Sequence, residues 1–476
     1  MSIFVSGVRW SAIGVAILAV IQFAQLLILA RYLSPIEMGN IAVLIVISTF
    51  ANVLSDGGFA NAIIQNKHVT KIMLSSLFWM SIFIGLILCI AMQLLANDFA
   101  RFFNITDELF LKVFSLIFLF GGGSQLMVAY FRKELRFSFV VKVEVLSTFF
   151  GFVVLLILVF FNQGIWAYIF SVVMKFVLTF MFMVNSFRKQ QGGEWRINFR
   201  SISGVIQFGV YQLGERLVDK LSGSMDRIVI APILGAQALG QYHLAKELLS
   251  RPLGMLHSAV SRVSFPMYSA KHNILDRENA YIESMKLLLV VTMPFLIIVA
   301  TYGDFFVVTL LGEKWEAAST FVFLLAIIAI VKETVTLGGQ MILAEGRADV
   351  NFHVNIVWSL SLFVTIYISV GNGVDKMLEA MCVFYLISTP IWLVLVSKYG
   401  KVSIGKYIKG LSKVFLPAVI LLLIAGYIKS LGSEIYSSNL AVNLVSSLCL
   451  LVIYILSIYF LDKPVVNRLK SFIRKN

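Results

Sequence analysis

Arginine, lysine, aspartate and glutamate crowd a stretch of the chain that is otherwise fit to lie in hydrocarbon. Between Phe208 and Arg262 stand Glu215, Arg216, Asp219, Lys220, Asp226, Arg227, Lys246, Glu247 and Arg251, spread over two segments each long enough to cross a bilayer. A charge at mid-bilayer costs about 2.5–3.5 kcal/mol even on the lenient insertion scale, so this many cannot face lipid. They must face protein or a water-filled cavity. Guanidinium groups grip phosphate oxygens two at a time and ammonium groups act as compact point charges, so a cluster of both suits a pyrophosphate or an acidic sugar. The interleaved carboxylates keep the empty cavity tolerable and are candidates for carrying a coupling proton or sodium ion.

At 100° per residue, Gly209, Gln212, Arg216, Lys220, Gly223 and Arg227 fall within about 80° of one another on the first of these segments. Glu215, Asp219 and Asp226 form an acidic stripe beside them. On the second segment Lys246, Ser250, His257 and Ser261 share a face, with Glu247, Arg251, Ser258 and Arg262 next to it. Gln212, Arg216, Lys220, Arg227, Lys246 and Arg251 are therefore candidate substrate-binding residues, and Glu215, Asp219, Asp226 and Glu247 candidate ion-coupling groups. The bland alternative is a self-neutralising ion-pair network that glues helices together.

Near the N-terminus the corresponding surface is polar rather than charged. Gln22 and Gln25 read as interhelical hydrogen bonds. Ser48, Asn52, Ser55 and Asp56 follow on the next segment; Asn52 joins the substrate-binding set. Asp56 precedes Gly57-Gly58, where a helix can loosen and leave backbone groups for a polar partner, and it joins the coupling set. So does Glu333, half of a mid-span Lys332-Glu333 pair. Lys175 also sits near mid-span, whereas Arg31 lies at a membrane edge and snorkels.

These residues must be positioned by membrane helices. The 476 residues are 59% hydrophobic and 13% charged, with a mean hydropathy of +0.91, far above soluble usage. Apolar segments of about 20 residues predict about fourteen helices, near 9–30, 36–64, 73–96, 110–131, 138–161, 164–187, 203–232, 236–265, 282–302, 317–343, 350–370, 376–397, 412–429 and 438–461. The first run is too long for a cleaved leader and reads as a retained helix. A net charge of +14 invites a nucleic-acid role. Its placement argues otherwise: with the N-terminus inside, Arg132, Lys133, Arg136, Arg188, Lys189, Arg277, Lys398, Lys401 and Lys406 all fall in cytoplasmic loops, and the tail is basic. Both termini are thus expected in the cytoplasm, with no nucleic-acid partner. Cys89, Cys382 and Cys449 lie unpaired in apolar runs, and the five histidines have no ligand spacing, so no metal and no cofactor is expected.

No loop exceeds about 20 residues, which leaves no room for an outer catalytic domain. The polar break from Arg188 to Arg200 reads as a linker. It predicts a six-helix lobe at 1–190, a cytoplasmic linker at 191–202, a second six-helix lobe at 203–400, and two extra helices with a basic tail at 401–476. Leu29 to Asn40 (LARYLSPIEMGN) and Ile230 to Gln241 (IAPILGAQALGQ) form a short internal repeat: Ala30 aligns with Ala231, Leu33 with Leu234, Ser34 with Gly235, Gly39 with Gly240 and Asn40 with Gln241. Each bridges the first two helices of its lobe. A parallel repeat of six plus six helices is a transporter architecture.

Three segments carry a family resemblance: SDGGFANAIIQ (Ser55 to Gln65), MDRIVIAPILGAQALGQYHLAKELLSRPLGML (Met225 to Leu256) and SAVSRVSFPMYS (Ser258 to Ser269). They resemble the polysaccharide repeat-unit flippases of the multidrug, oligosaccharidyl-lipid and polysaccharide exporter superfamily, and within it the branch of colanic and teichuronic acid exporters. The resemblance implies a V-shaped pair of all-α bundles working by alternating access. It implies a substrate, an undecaprenyl-pyrophosphate-linked oligosaccharide carried to the outer leaflet for O-antigen, capsule or exopolysaccharide synthesis, and as partners a polysaccharide polymerase and a chain-length regulator. Where many relatives have Asp-Lys this chain has Asp226-Arg227, which keeps the charge and changes its geometry. The alternatives are a cation-coupled multidrug exporter of the same superfamily, a membrane glycosyltransferase or ligase using carboxylates as general bases, and a structural scaffold. The reading is of a transporter, not an enzyme.

Overall fold

Residues 2–65, 69–191, 198, 202–270, 273–431 and 440–462 are described in a computed structural model, and their regular structure is helical throughout. Of the predicted linker only Gln191, Asn198 and Ile202 are described, and the basic tail lies outside the described residues. Only helices satisfy every backbone group within one segment, so long apolar runs in lipid have this one solution. The helices are α1 (Ser2–Tyr32), α2 (Pro35–Asp56), α3 (Phe59–Gln65), α4 (Lys71–Phe102), α5 (Glu108–Phe114), α6 (Leu116–Lys133), α7 (Phe137–Phe160), α8 (Trp166–Gln191) and α9 (Ser203–Ala270). Then come α10 (Ile274–Leu311), α11 (Glu316–Glu333), α12 (Gly338–Ala344), α13 (Ala348–Val370), α14 (Val374–Gly400), α15 (Ile404–Leu431) and α16 (Leu440–Leu461).

Among the described residues 13 stretches have the length and apolarity of a membrane crossing, one of them the 47 residues Gln212–Ser258 within α9. That is twice what a crossing needs. The backbone leaves helical geometry at Gly235 (φ 79°, ψ 177°). The phenol of Tyr242 hydrogen-bonds the Asp226 carboxylate sixteen residues away, whereas a straight helix would hold those residues about 24 Å apart. So α9 folds back on itself at Gly235 and supplies two crossings, which gives the fourteen expected from the sequence.

By packing, the chain divides into two compact units, residues 1–243 and 244–476. In the first, a core of Phe59, Leu77, Phe78, Leu126, Phe131 and Phe187 joins α3, α4, α6 and α8. Glycines let backbones meet: a β-carbon at Gly122 of α6 would stand 2.2 Å from the Ser55 carbonyl of α2. Small residues are how helices approach where lipid supplies no hydrophobic drive.

The internal repeat explains the closest of these approaches. A β-carbon at Gly39 would lie 1.8 Å from the Ala236 carbonyl oxygen, and one at Gly240 would lie 1.8 Å from the Pro35 carbonyl oxygen. In the repeat Gly39 corresponds to Gly240 and Pro35 to Ala236. The two copies therefore touch each other through equivalent positions, as the halves of a two-fold interface do. Each copy contains a cap. Ser34 caps α2 with a reciprocal box to Glu37, its Oγ accepting from the Glu37 N–H at 3.3 Å and its N–H donating to Glu37 Oε2 at 2.8 Å. Gly235 takes that place in the second copy. Asn104 completes the join, its Nδ2 donating to the carbonyls of Ala231 (3.1 Å) and Pro232 (3.3 Å), which lie at the end of the first arm of α9.

In the second unit, basic residues of the loops and helix ends meet buried acids. Lys406 lies 2.9 Å from Glu278 and Lys401 2.8 Å from Glu345, which also pairs with Arg277. Lys286 and Asp462 pair at 2.9 Å, so α10, α12, α15 and the end of α16 are tied by charge.

Overpacking a tight contact costs about 1–3 kcal/mol. Gly39→Ala and Gly240→Ala should each lower the melting temperature of the purified protein, whereas Gly214→Ala and Gly223→Ala, with nothing within 4 Å of the added carbon, should hold or raise it. Scanning fluorimetry in detergent decides.

Candidate functional site

In the first unit α2 stops at Asp56, and Gly57 (φ 61°) and Gly58 (φ 77°) turn the chain into α3. A side chain at Gly58 is excluded twice, by its left-handed backbone and by the Gly209 carbonyl of α9, 2.1 Å from any β-carbon there. The break leaves α3 with uncapped amides. Asp56 answers one of them, Oδ1 accepting from the Ala60 N–H at 3.0 Å. Its Oδ2 accepts from Arg216 of α9 at 2.7 Å. The carboxylate is 1% exposed and the guanidinium 33%. The charge of Asp56 is thus held by one helix break and one arginine. Next to it the Oγ of Ser55 and the Oδ1 of Asn52 are buried and accept no hydrogen bond among the described residues, although Asn52 Nδ2 donates to the Ser48 carbonyl at 2.8 Å.

The second unit builds the same device from other residues. Here α11 ends on Glu333, residues 334–337 form a turn, and α12 resumes at Gly338. The freed carbonyls are taken by side chains: Thr334 accepts from the Tyr407 phenol, and Val335 from Trp392 Nε1 at 3.2 Å. Glu333 is 2% exposed. The His257 Nε2 of α9 lies 2.8 and 3.0 Å from its two oxygens. This pair borders a cavity of about 500 Å³ reached by Ser250, Lys332, Trp358, Tyr385 and Trp392.

The remaining candidates sort into local pairs. Arg251 and Glu247 meet at 2.7 Å one turn apart, partly buried. Lys220 and Asp219 meet at 2.9 Å, both exposed. Gln212 Nε2 donates to Glu215 at 3.1 Å. Asp226 differs from the other two acids of its stripe: it is 4% exposed, accepting from Tyr242 and from the Arg227 N–H. The fold-back of α9 buries it, and nothing in the residue pattern pointed to Tyr242. Lys246 is half-buried on the second arm, and the side chains of Ser261 and Arg262 lie outside the described ones. The wall of Trp358, Tyr385 and Trp392 was also missed, because aromatic residues inside apolar helices carry no periodic signal; the mid-span Lys332-Glu333 pair was its one visible trace.

Removing one partner of a buried pair strands the other charge, at a cost of about 3–5 kcal/mol when fully buried. The two members of the Asp56–Arg216 pair are unequally buried. Arg216→Gln should therefore destabilise the purified protein more than Asp56→Asn, which leaves a guanidinium that water can reach, and the double variant should recover most of the loss. Equal single-variant melting temperatures would contradict this account.

Comparison with known proteins fits this architecture. The family described as polysaccharide biosynthesis proteins matches residues 28–320. The chain is 29% identical over 452 residues to the teichuronic acid biosynthesis protein TuaB of Bacillus subtilis (strain 168), covering 93% of this chain and 92% of that protein. It is 27% identical to the lipopolysaccharide biosynthesis protein WzxC of Escherichia coli (strain K12), over 74% of this chain and 72% of that one. In fold it is similar to the lipid II flippase MurJ in its inward closed conformation, with a TM-score of 0.76 over 97% of this chain and 99% of that chain at 14% identity. An inward-facing multidrug resistance MATE family transporter of the MOP superfamily follows, with a TM-score of 0.60 over 82% of this chain and 96% of that chain at 13% identity. With the family's pattern running from the last turns of α1 into α11, the chain belongs to the polysaccharide biosynthesis protein family.

Proposed function

We propose that this multi-pass membrane protein is a flippase that carries a lipid-linked oligosaccharide repeat unit, most simply one on undecaprenyl pyrophosphate, from the cytoplasmic to the outer leaflet for surface polysaccharide synthesis. The observation that carries the reading is the exposure of Glu215, Asp219 and Lys220 on α9, within a helix of membrane-crossing length and apolarity. Such charges need water or an ionic ligand, not lipid. The family membership and the names of the relatives supply the class of cargo. Alternating access between the lobes 1–190 and 203–400, an inner-membrane location with both termini cytoplasmic, and cooperation with a polysaccharide polymerase and chain-length regulator belong to the same proposal.

In this reading Arg216, Lys220, Arg227, Lys246 and Arg251 attract the pyrophosphate, with Gln212 and Asn52 as neutral contacts. Asp56, Glu215, Asp219, Asp226, Glu247 and Glu333 are the acids from which a coupling site would be drawn. Asp56 and Glu333 suit that task best, since each is buried and its base comes from α9. A cation-coupled drug exporter would share the fold. Six arginines and lysines against four acids along α9 favour an anionic cargo over it.

Replacing Lys220 and Arg251 together by Gln, which spares the Asp56–Arg216 pair, should reduce surface polysaccharide more than about tenfold and accumulate lipid-linked repeat units, at unchanged protein level. Immunoblotting of surface glycan beside lipid extraction checks both. Undiminished translocation would remove α9 from the transport path.

A further inference from the structure

The cavity in the second unit differs in chemistry from the basic face of α9. Trp358 of α13 and Tyr385 and Trp392 of α14 reach it, and their rings are held in advance of any ligand: Trp358 lies 6.1 Å from Tyr385 and 6.0 Å from Trp392 between centroids, and Trp392 is tied to the Val335 carbonyl. Ser250, Thr336 and Asn355 add hydroxyl and amide groups. Lys332 is exposed near the middle of a membrane crossing, its ammonium 5.1 Å from the Tyr385 ring centre. Among the described residues no carboxylate pairs with Lys332, since neighbouring Glu333 is turned to His257.

Three ligand chemistries can be weighed against this wall. An acyl chain would strand the Lys332 charge. A phosphate calls for several donors converging on one anion, and here a single lysine stands beside a carboxylate that repels it. A sugar ring fits all the groups at once: its C–H face packs on flat aromatic rings, its hydroxyls reach Ser, Thr and Asn, and a ring carboxylate meets the ammonium. The volume of about 500 Å³ lies in the range of small-molecule sites.

We propose that this cavity is a sugar subsite selective for a pyranose bearing a carboxylate. It rests on the flippase reading and names the part of the cargo that the second unit holds. Lys332 sets the preference for the acid, and the Trp358–Tyr385–Trp392 wall binds the ring.

Full-length protein in lipid nanodiscs, titrated with a soluble disaccharide ending in glucuronic acid and watched by tryptophan fluorescence, should give a saturable change. The methyl ester of that uronate and the matching glucose disaccharide should each bind at least about tenfold more weakly. Lys332→Gln should abolish this preference, and Lys332→Arg should keep it. Acid and ester binding equally, or no saturable response to either, overturns the subsite without recourse to any variant; so does an acid preference that survives Lys332→Gln. Transport of lipid-linked oligosaccharide in proteoliposomes is read separately. Transport without uronate binding overturns the subsite and leaves the flippase standing, whereas uronate binding without any such transport supports a sugar site and overturns the flippase.

Discussion

A carboxylate buried among membrane helices and a helix interrupted in hydrocarbon are each costly alone, and this protein places them together. A buried carboxylate lacks donors, and a broken helix has backbone groups left over. At Asp56 the surplus amide of Ala60 goes to the acid. At Glu333 the surplus carbonyls go to Tyr407 and Trp392 instead. In both places α9 provides the base, Arg216 in one unit and His257 in the other. The rest of the site depends on that economy, because the breaks put polar backbone and charge where an uninterrupted apolar helix would admit neither.

The two bases are not alike. Arginine carries its donors in a planar fork, so Arg216 can hold Asp56 with one nitrogen and still offer others. Histidine has only its ring nitrogens, and the Nε2 of His257 meets both oxygens of Glu333. One helix therefore offers a many-donor partner to the first unit and a single-point one to the second. The paired acids Glu278, Glu345 and Asp462 serve a third purpose: they fasten the loops and helix ends around α15 by charge, where apolar packing between membrane helices gives little drive.

Much of this was legible in the residues themselves. Hydropathy alone gave the helices, because in a bilayer length and apolarity leave few choices. Gly57-Gly58 after Asp56 marked where the first interruption could fall, since glycine takes the left-handed backbone that the turn needs, although Gly121-Gly122-Gly123 stays helical within α6. The second was harder to see. Nothing in Thr334-Val335-Thr336-Leu337 breaks a helix by propensity, and the turn there is held by Tyr407 and Trp392, distant in sequence. Partners across helices were invisible for the same reason: the wheel of α9 put Asp226 in one stripe with Asp219, yet the fold-back at Gly235 buries the first and leaves the second exposed. A wheel describes a straight helix, and α9 is not one.

The meeting of Gly39 with Ala236 and of Gly240 with Pro35 bears on ancestry. Because equivalent positions of the repeat face each other, a single copy of this segment already holds both sides of the contact. A half-length chain carrying it could pair with a second copy of itself using no residue it did not already have. Duplication and fusion would then have preserved the join while releasing the two halves from identity, free for one to keep a serine cap and the other to take a glycine.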